Sequence, residues 1–130
     1  MTKKKPPKDK SLSSPEQSAA IILAAGLGTR MKSNLPKVMH KVGGQPMICH
    51  VIETLNKVGI KKIIVVVSKG MESVESIVKP HPTVVQAKQL GTGHAVKAAL
   101  KKLDGSEKNV LVMFGADPLI LPQTIKKMII

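Results

Sequence analysis

The clearest chemical pattern in the chain is a glycine-rich turn followed by two cations. Residues 23–31 read LAAGLGTRM, and a Leu-Pro-Lys triplet follows. Gly26 and Gly28 lack a Cβ, so the backbone there can take a positive φ angle and bring its N–H groups close to phosphate oxygens. Arg30 and Lys37 add positive charge nearby. The pattern predicts a binding site for a nucleoside triphosphate.

Two better-known glycine motifs do not fit this turn. A Rossmann fingerprint needs a third glycine where the chain has Met31, and a P-loop needs a Gly-Lys-Ser or Gly-Lys-Thr ending that is absent. A plain strand-to-turn connection, in which glycine only relieves backbone strain, is the alternative. We favour phosphate binding because Thr29 and Arg30 follow the glycines directly and a Pro-Lys pair comes shortly afterwards.

Two sequence blocks resemble the nucleotide-sugar pyrophosphorylases. Residues 23–37, LAAGLGTRMKSNLPK, are similar to the family's Leu-x-x-Gly-x-Gly-Thr-Arg-Met turn and its Pro-Lys pair. Residues 86–95, QAKQLGTGHA, resemble a segment of the N-terminal uridyltransferase domain in the bacterial bifunctional UDP-N-acetylglucosamine pyrophosphorylases and glucosamine-1-phosphate N-acetyltransferases. The resemblance covers residues 19–122. It implies transfer of UMP from UTP to N-acetylglucosamine 1-phosphate, with release of pyrophosphate, for cell-envelope precursor synthesis.

The resemblance also implies roles for individual residues. Arg30 and Lys37 match cations on the triphosphate and are the expected catalytic residues, since fixed charge stabilises the negative charge that develops at the α-phosphorus. Gln86 matches a position that reads uracil, and an amide suits a base edge with both donors and acceptors. Without its neighbours, Gln86 would be an ordinary polar residue at a strand end. The expected nucleotide-binding residues are Leu23, Ala24, Ala25, Gly26, Gly28, Thr29, Gln86, Gly91, Thr92, Phe114 and Gly115.

The expected Mg²⁺ site departs from the family pattern. Related enzymes read aromatic-Gly-Asp-x-Pro-Leu, with the Asp binding Mg²⁺, whereas residues 114–119 read FGADPL. The carboxylate is displaced by one residue, and inside a strand one step would turn it to the opposite face. Because Mg²⁺ is commonly held by one or two carboxylates plus phosphate oxygens, we expect Asp117 to bind it. The family's second ligand, an asparagine, is expected beyond Ile130.

Composition bounds the class of protein. No apolar stretch reaches membrane-spanning length and no hydrophobic signal region follows the basic N-terminus, so the sequence predicts a cytoplasmic protein without membrane contact. A net charge of +13 raises nucleic-acid binding as a minor alternative, but the one aromatic residue, Phe114, leaves no stacking platform. Cys49 and the four histidines lack zinc-ligand spacing. We expect Cys49 in the core and His94 in a local bond at a helix start.

Strands and helices alternate along the chain. Apolar runs predict strands at residues 19–23, 63–67, 83–85 and 110–114, and helical spacing predicts helices at 47–58, 72–78, 95–103 and after Pro122. The order predicts a three-layer, Rossmann-like α/β fold with a mostly parallel sheet. Residues 1–18 are predicted to be a basic disordered tail. Residues 19–130 are predicted to be the N-terminal part of a truncated domain that is inactive alone and forms homo-oligomers only in a full-length enzyme.

Overall fold

The computed structural model describes residues 15–25, 35–88 and 91–129. Most of the glycine-rich turn, including Gly26, Gly28, Thr29 and Arg30, lies outside the described residues. In chain order the elements are β1 (Ser18–Leu23), β2 (Lys41–Val42), β3 (Gln45–Pro46), α1 (Met47–Val58), β4 (Lys62–Ser68), α2 (Glu72–Ile77), β5 (Thr83–Gln86), α3 (Thr92–Leu100), β6 (Asn109–Phe114) and α4 (Pro122–Ile129).

The main sheet has β1 at its centre. Its described strands are parallel and lie in the order β5-β4-β1-β6. β1 pairs with β4 from Ala19 opposite Lys62, and with β6 from Ser18 opposite Asn109. A central parallel strand is covered on both faces, which is why β1 is a nearly continuous apolar run. The predicted parallel α/β architecture is confirmed.

Helices cover the sheet on both faces and complete three layers. On one face, Ala20 and Ile22 of β1 join the core cluster that α1, α2 and α4 also supply. On the other face, Ile21 packs in a smaller cluster with Ala95 and Ala99 of α3. This second face is only partly covered by the described residues, because Val110, Val112 and Phe114 of β6 remain exposed.

Residues before the predicted boundary at residue 19 already belong to regular structure. Pro15–Gln17 form one turn of 3₁₀ helix, and Ser18 is the buried first residue of β1. The backbone N–H of Lys108 donates to the Gln17 carbonyl at 2.7 Å. The last part of the predicted tail at residues 1–18 therefore belongs to the fold, because pairing with the segment that enters β6 holds it in place.

A short hairpin connects the region after the glycine turn to α1, and the sequence analysis did not predict it. β2 and β3 pair antiparallel around Gly43 and Gly44, whose φ angles are 60° and 82°. Positive φ at both central residues is the geometry that a two-residue hairpin turn requires, so the Gly-Gly pair was its sequence signal. Among the described residues, no helix is both long and apolar enough to cross a membrane.

Candidate functional site

A cleft of ≈ 580 Å³ opens at the carboxyl ends of three parallel strands. β1 has β4 on one side and β6 on the other, so successive crossovers diverge at its end. Open α/β sheets bind ligands at such a switch point. The cleft is lined by Leu23, Ala25, Lys37, Val38, Gln86, Gly91, Thr92, Ala95, Phe114, Ala116 and Asp117.

Two hydrogen bonds from or to β4 hold the end of β1 at the floor of the cleft. The Ala24 N–H donates to the Val66 carbonyl at 2.8 Å, and the Ser68 hydroxyl donates to the Ala25 carbonyl. Both partners belong to β4, whose buried strand is among the most apolar parts of the chain. The glycine turn therefore starts from a fixed position, with Leu23 and Ala25 facing the cleft and Ala24 buried beneath it.

One side of the cleft, which we call the β5–α3 wall, consists of Gln86, Gly91, Thr92 and Ala95. Gln86 ends β5 and is only 4% exposed. Its Nε2 lies 3.3 Å from the Gly91 carbonyl oxygen and 3.2 Å from Nδ1 of His94. The buried amide is thus held at two points.

The β5–α3 wall also presents the start of a helix. Gly91 has a φ angle of 103°, a conformation that favours glycine, and α3 begins at the next residue, Thr92. The first N–H groups of a helix have no intrahelical partner and carry partial positive charge, which attracts anions. Gln86 and this helix start together offer a polar side chain and backbone donors at one edge of the cleft.

The opposite side, the β6 wall, consists of Phe114, Ala116 and Asp117. Strand β6 ends at Phe114, and the Asp117 N–H donates back to the Phe114 carbonyl at 3.2 Å. Because the chain turns here, the alternation of side chains along a strand no longer applies, and both Ala116 and Asp117 line the cleft. The displaced Asp117 is therefore still a lining residue of the cleft.

Gly115 supports the β6 wall from behind. It is buried, and a Cβ added to it would lie 2.9 Å from Cγ1 of Val38 and 3.3 Å from the Leu23 carbonyl oxygen. Its N–H donates to that carbonyl at 3.0 Å. Gly115 therefore permits the close approach of β6 to β1, and it does not line the cleft.

Charge of both signs reaches the cleft. Lys37 begins the 3₁₀ turn Lys37–Met39, whose next residue, Val38, is buried and anchors the turn. Lys37 and Asp117 are exposed, and neither side chain makes an ion pair or hydrogen bond with another described residue. Both groups are therefore available to a ligand.

A metal ion here would depend on its ligand as well as on the protein. Within residues 15–25, 35–88 and 91–129, no group of three His, Cys, Asp or Glu side chains could hold an ion. Asp117 is the carboxylate that the described lining supplies. Mg²⁺ binds through one or two carboxylates when substrate phosphates complete its coordination, so this donor set fits Mg²⁺ held jointly with phosphate.

The cleft brings together most of the described residues that the sequence analysis singled out. Those that line it are Leu23, Ala25, Lys37, Gln86, Gly91, Thr92, Phe114 and Asp117, whereas Ala24 and Gly115 lie buried next to it. The sequence analysis missed three lining residues, Val38, Ala95 and Ala116. It also missed the partner of His94, which bonds across to Gln86 and not locally at the start of α3.

Comparison with known proteins agrees with this fold. The bifunctional protein GlmU of Rhodospirillum rubrum is 50% identical over 113 residues, which are 87% of this chain and 25% of that protein. The chain therefore spans about a quarter of the length of the curated relatives it matches. The resemblance to the bifunctional enzymes is confirmed.

Solved structures give the same picture. Rv0371c from Mycobacterium tuberculosis matches with a TM-score of 0.75 at 18% identity, over 91% of this chain and 61% of that one. HddC from Yersinia pseudotuberculosis, complexed with GMP-PN, matches with a TM-score of 0.63 at 32% identity, over 75% of this chain and 47% of that one. The MobA-like NTP transferase domain matches residues 20–129. The chain belongs to the MobA-like NTP transferase domain family.

Proposed function

We propose that this chain forms the nucleotide-binding part of a uridyltransferase that transfers UMP from UTP to N-acetylglucosamine 1-phosphate. The observation that carries the proposal is that described residues of two distant motif blocks line one cleft: Leu23, Ala25 and Lys37 from the first, and Gln86, Gly91, Thr92 and Ala95 from the second. Family membership supports nucleotidyl transfer. The choice of UTP and of this sugar phosphate rests on the resemblance to the uridyltransferase domain and on the 50% identity to GlmU.

The nucleotide would lie across the cleft from the β5–α3 wall to the end of β1, which the glycine turn follows in sequence. The uracil would face Gln86 and Gly91, where a buried amide and the N–H groups at the start of α3 can pair with a base edge. The triphosphate would extend toward the glycine turn, with Arg30 and Lys37 as its cations. Lys37 is exposed on the cleft and has no competing described partner, which supports this role.

The proposed reaction needs no nucleophile from the protein. A phosphate oxygen of the sugar 1-phosphate attacks the α-phosphorus of UTP and forms a new phosphorus–oxygen bond. The bond from the α-phosphorus to the oxygen bridging to the β-phosphate breaks, and pyrophosphate leaves with that electron pair. Arg30 and Lys37 would stabilise the negative charge on the phosphates in the transition state, which is the main catalytic contribution in phosphoryl transfer.

Asp117 is the residue that would hold a Mg²⁺ ion against the triphosphate. Asp117 lines the cleft, is exposed, and its side chain has no described partner, which supports this role. Bound Mg²⁺ would neutralise part of the phosphate charge. The role of Asp117 is thus to place the ion, and that of Lys37 is to bind the phosphates directly.

Calorimetric titration of the chain with UTP and Mg²⁺ tests the nucleotide site. We expect Lys37→Ala and Arg30→Ala each to weaken UTP binding roughly tenfold or more, since each removes a charge-assisted bond of about 1.5–3 kcal/mol. Lys41→Ala is the matched control, because Lys41 is exposed in β2 and does not line the cleft. Equal UTP affinity in all four proteins would overturn the phosphate assignment.

A chimera tests the reaction itself. Residues 20–129 would replace the matching segment of the Rhodospirillum rubrum relative, and pyrophosphate release would be measured with UTP, Mg²⁺ and N-acetylglucosamine 1-phosphate. We expect turnover in the chimera that falls at least roughly tenfold with Lys37→Ala. UTP binding without turnover in the chimera would instead support the narrower alternative of a non-catalytic nucleotide-binding segment. Turnover with CTP or another sugar phosphate in preference would indicate a related nucleotidyltransferase.

A further inference from the structure

We propose that His94 determines which base the cleft accepts, by fixing the orientation of the Gln86 side-chain amide. This inference rests on the proposed binding of a uridine nucleotide. His94 would be a positioning residue, since it acts on the base through Gln86. It is exposed near the start of α3 and is not among the residues that line the cleft.

The hydrogen bonds around Gln86 use its amide nitrogen. Nε2 lies 3.3 Å from the Gly91 carbonyl oxygen and 3.2 Å from Nδ1 of His94. An amide nitrogen has two hydrogens, and a neutral histidine with its proton on Nε2 accepts at Nδ1. With the His94 ring in that tautomer, both Gln86 hydrogens are donated within the protein, one to Gly91 and one to His94. No described residue donates to Gln86 Oε1, so a ligand at Gln86 meets an acceptor.

We expect His94 to stabilise this orientation of the Gln86 amide. The Gly91 carbonyl is shared, because it also accepts the Ala95 N–H at 3.2 Å. The His94 ring makes its described hydrogen bond to Gln86. Turning the amide over would set Oε1 against the Gly91 oxygen and, while the ring proton is on Nε2, against the His94 Nδ1 as well. Opposed acceptors at a side chain that is 4% exposed are costly, because water cannot replace the lost bonds.

The consequence for recognition is a choice between pyrimidines. Uracil presents an N3–H donor, whereas cytosine presents an unprotonated N3 acceptor at the same place. When Oε1 of Gln86 faces the ligand, it accepts a hydrogen bond from the uracil N3–H but repels the unprotonated N3 of cytosine. A site whose buried polar group is left unpaired by one ligand discriminates strongly against it. The orientation of Gln86 therefore favours UTP over CTP, and any change that lets the amide turn over should reduce that preference.

The test is the ratio of the dissociation constants for CTP and UTP, measured by calorimetry on the chain and its variants. The two nucleotides carry the same charge, so the effect of a charge change at position 94 cancels in the ratio. His94→Glu keeps an acceptor beside Nε2, and we expect it to retain the preference for UTP. His94→Ala should reduce the ratio roughly tenfold, the value of one hydrogen bond. His94→Lys, which can only donate, should reduce it further.

Controls separate this inference from a structural role and from the proposed function. Lys97→Ala, an exposed change on the same helix, should leave the ratio unchanged. Thermal melts would verify folding, and the Glu and Lys variants decide the question if the Ala variant unfolds. The inference would be overturned if the CTP/UTP ratios of dissociation constants for His94→Lys and His94→Glu agreed with each other within about twofold. In that case, UTP binding that is weakened by Gln86→Ala would leave the proposed function standing. Failure of the unmodified chain to bind UTP would overturn both.

Discussion

The two walls of the cleft differ in how their polar groups are held. In the β5–α3 wall, Gln86 is buried and bonded at two points, and Gly91 sets the start of a helix. In the β6 wall, Asp117 is exposed without a described partner and Phe114 is 59% exposed. The first wall is organised by the chain itself, whereas the second presents a carboxylate whose partner must arrive with a ligand.

This difference bears on the order in which the proposed substrates act. A base-reading site that is already arranged loses little freedom on binding, so it can recognise a nucleotide without help. A single exposed carboxylate holds Mg²⁺ only together with phosphate oxygens. We therefore expect base recognition to be independent of the metal, and the contribution of the β6 wall to appear only when nucleotide and metal are both present.

The largest expected effects come from the glycines behind and within the two walls. Gly115→Ala should destabilise the fold by about 1–3 kcal/mol, because its Cβ would lie 2.9 Å from Val38 Cγ1 and 3.3 Å from the Leu23 carbonyl oxygen. Gly91→Ala should cost about 1–2 kcal/mol for a different reason, since space is open there but φ is 103°. Urea denaturation measures both changes.

Gly93→Ala is the matched control for these two substitutions. Gly93 lies in α3, has open space around it and has no positive φ, so alanine should leave the free energy of unfolding unchanged or raise it by up to about 1 kcal/mol. A loss of stability equal to that of Gly115→Ala would contradict the crowding described behind the β6 wall.

The next prediction separates the walls by their dependence on metal. Asp117→Asn should weaken UTP binding roughly tenfold in Mg²⁺ and leave it unchanged in the presence of a chelator, because only the metal-mediated contact is lost. Gln86→Ala should weaken UTP binding by a similar factor in both conditions. Calorimetry with and without Mg²⁺ makes the comparison. If both substitutions responded to Mg²⁺ in the same way, it would be wrong to assign metal binding to the β6 wall and base recognition to the β5–α3 wall.

The smallest expected effect concerns an ion cluster in the segment that leads into β6. Lys62 Nζ contacts Glu107 and lies 3.3 Å from Oδ2 of Asp104. Hydrogen bonds from Ser106 and Lys62 lower the pKa of Asp104, and Lys62 lowers the pKa of Glu107. A carboxyl group with a lowered pKa in the folded state stabilises the protein above its ordinary pKa and loses that contribution as pH falls through the lowered value.

Glu107→Gln should therefore lower the melting temperature at neutral pH. We expect a change of at most about 5 °C, because the Glu107 side chain is 5% exposed but its partner Lys62 is 40% exposed and screened by solvent. The difference from the unmodified chain should shrink as the pH falls below about 4, where the carboxyl groups become protonated. Glu53→Gln is the control, since Glu53 is exposed on α1 and has no described ion pair. A difference that grew on acidification would contradict the sign of this contribution.

Much of the fold was predictable because its strands and helices have strong local patterns. β1 and β4 are unbroken apolar runs, and α1 ends where Gly59 takes a φ of 102°. The predicted helix at residues 95–103 begins at Thr92 and ends at Leu100, yet Leu103 still packs on the smaller core. Local spacing therefore identified the apolar face better than the ends of the helix.

The parts of the site that were not predictable depend on contacts between distant or irregular segments. Side-chain alternation along a strand could not predict whether Asp117 lines the cleft, because β6 ends at Phe114 and the chain turns there. The bond between His94 and Gln86 joins a helix start to a strand end, and no local pattern encodes it. Gly115 looked like part of a binding motif, but its packing against Val38 is visible only in three dimensions.

A crystal structure of the chain with UTP and Mg²⁺ tests the central claim most directly. The account predicts the uracil N3–H against Oε1 of Gln86 and the triphosphate directed toward Lys37. Simple attraction of phosphate to a positively charged chain predicts a different location, such as the groove lined by Lys61, Lys62 and Lys102 at the far end of the sheet. UTP bound in that groove, with the cleft between the two walls empty, would contradict the account.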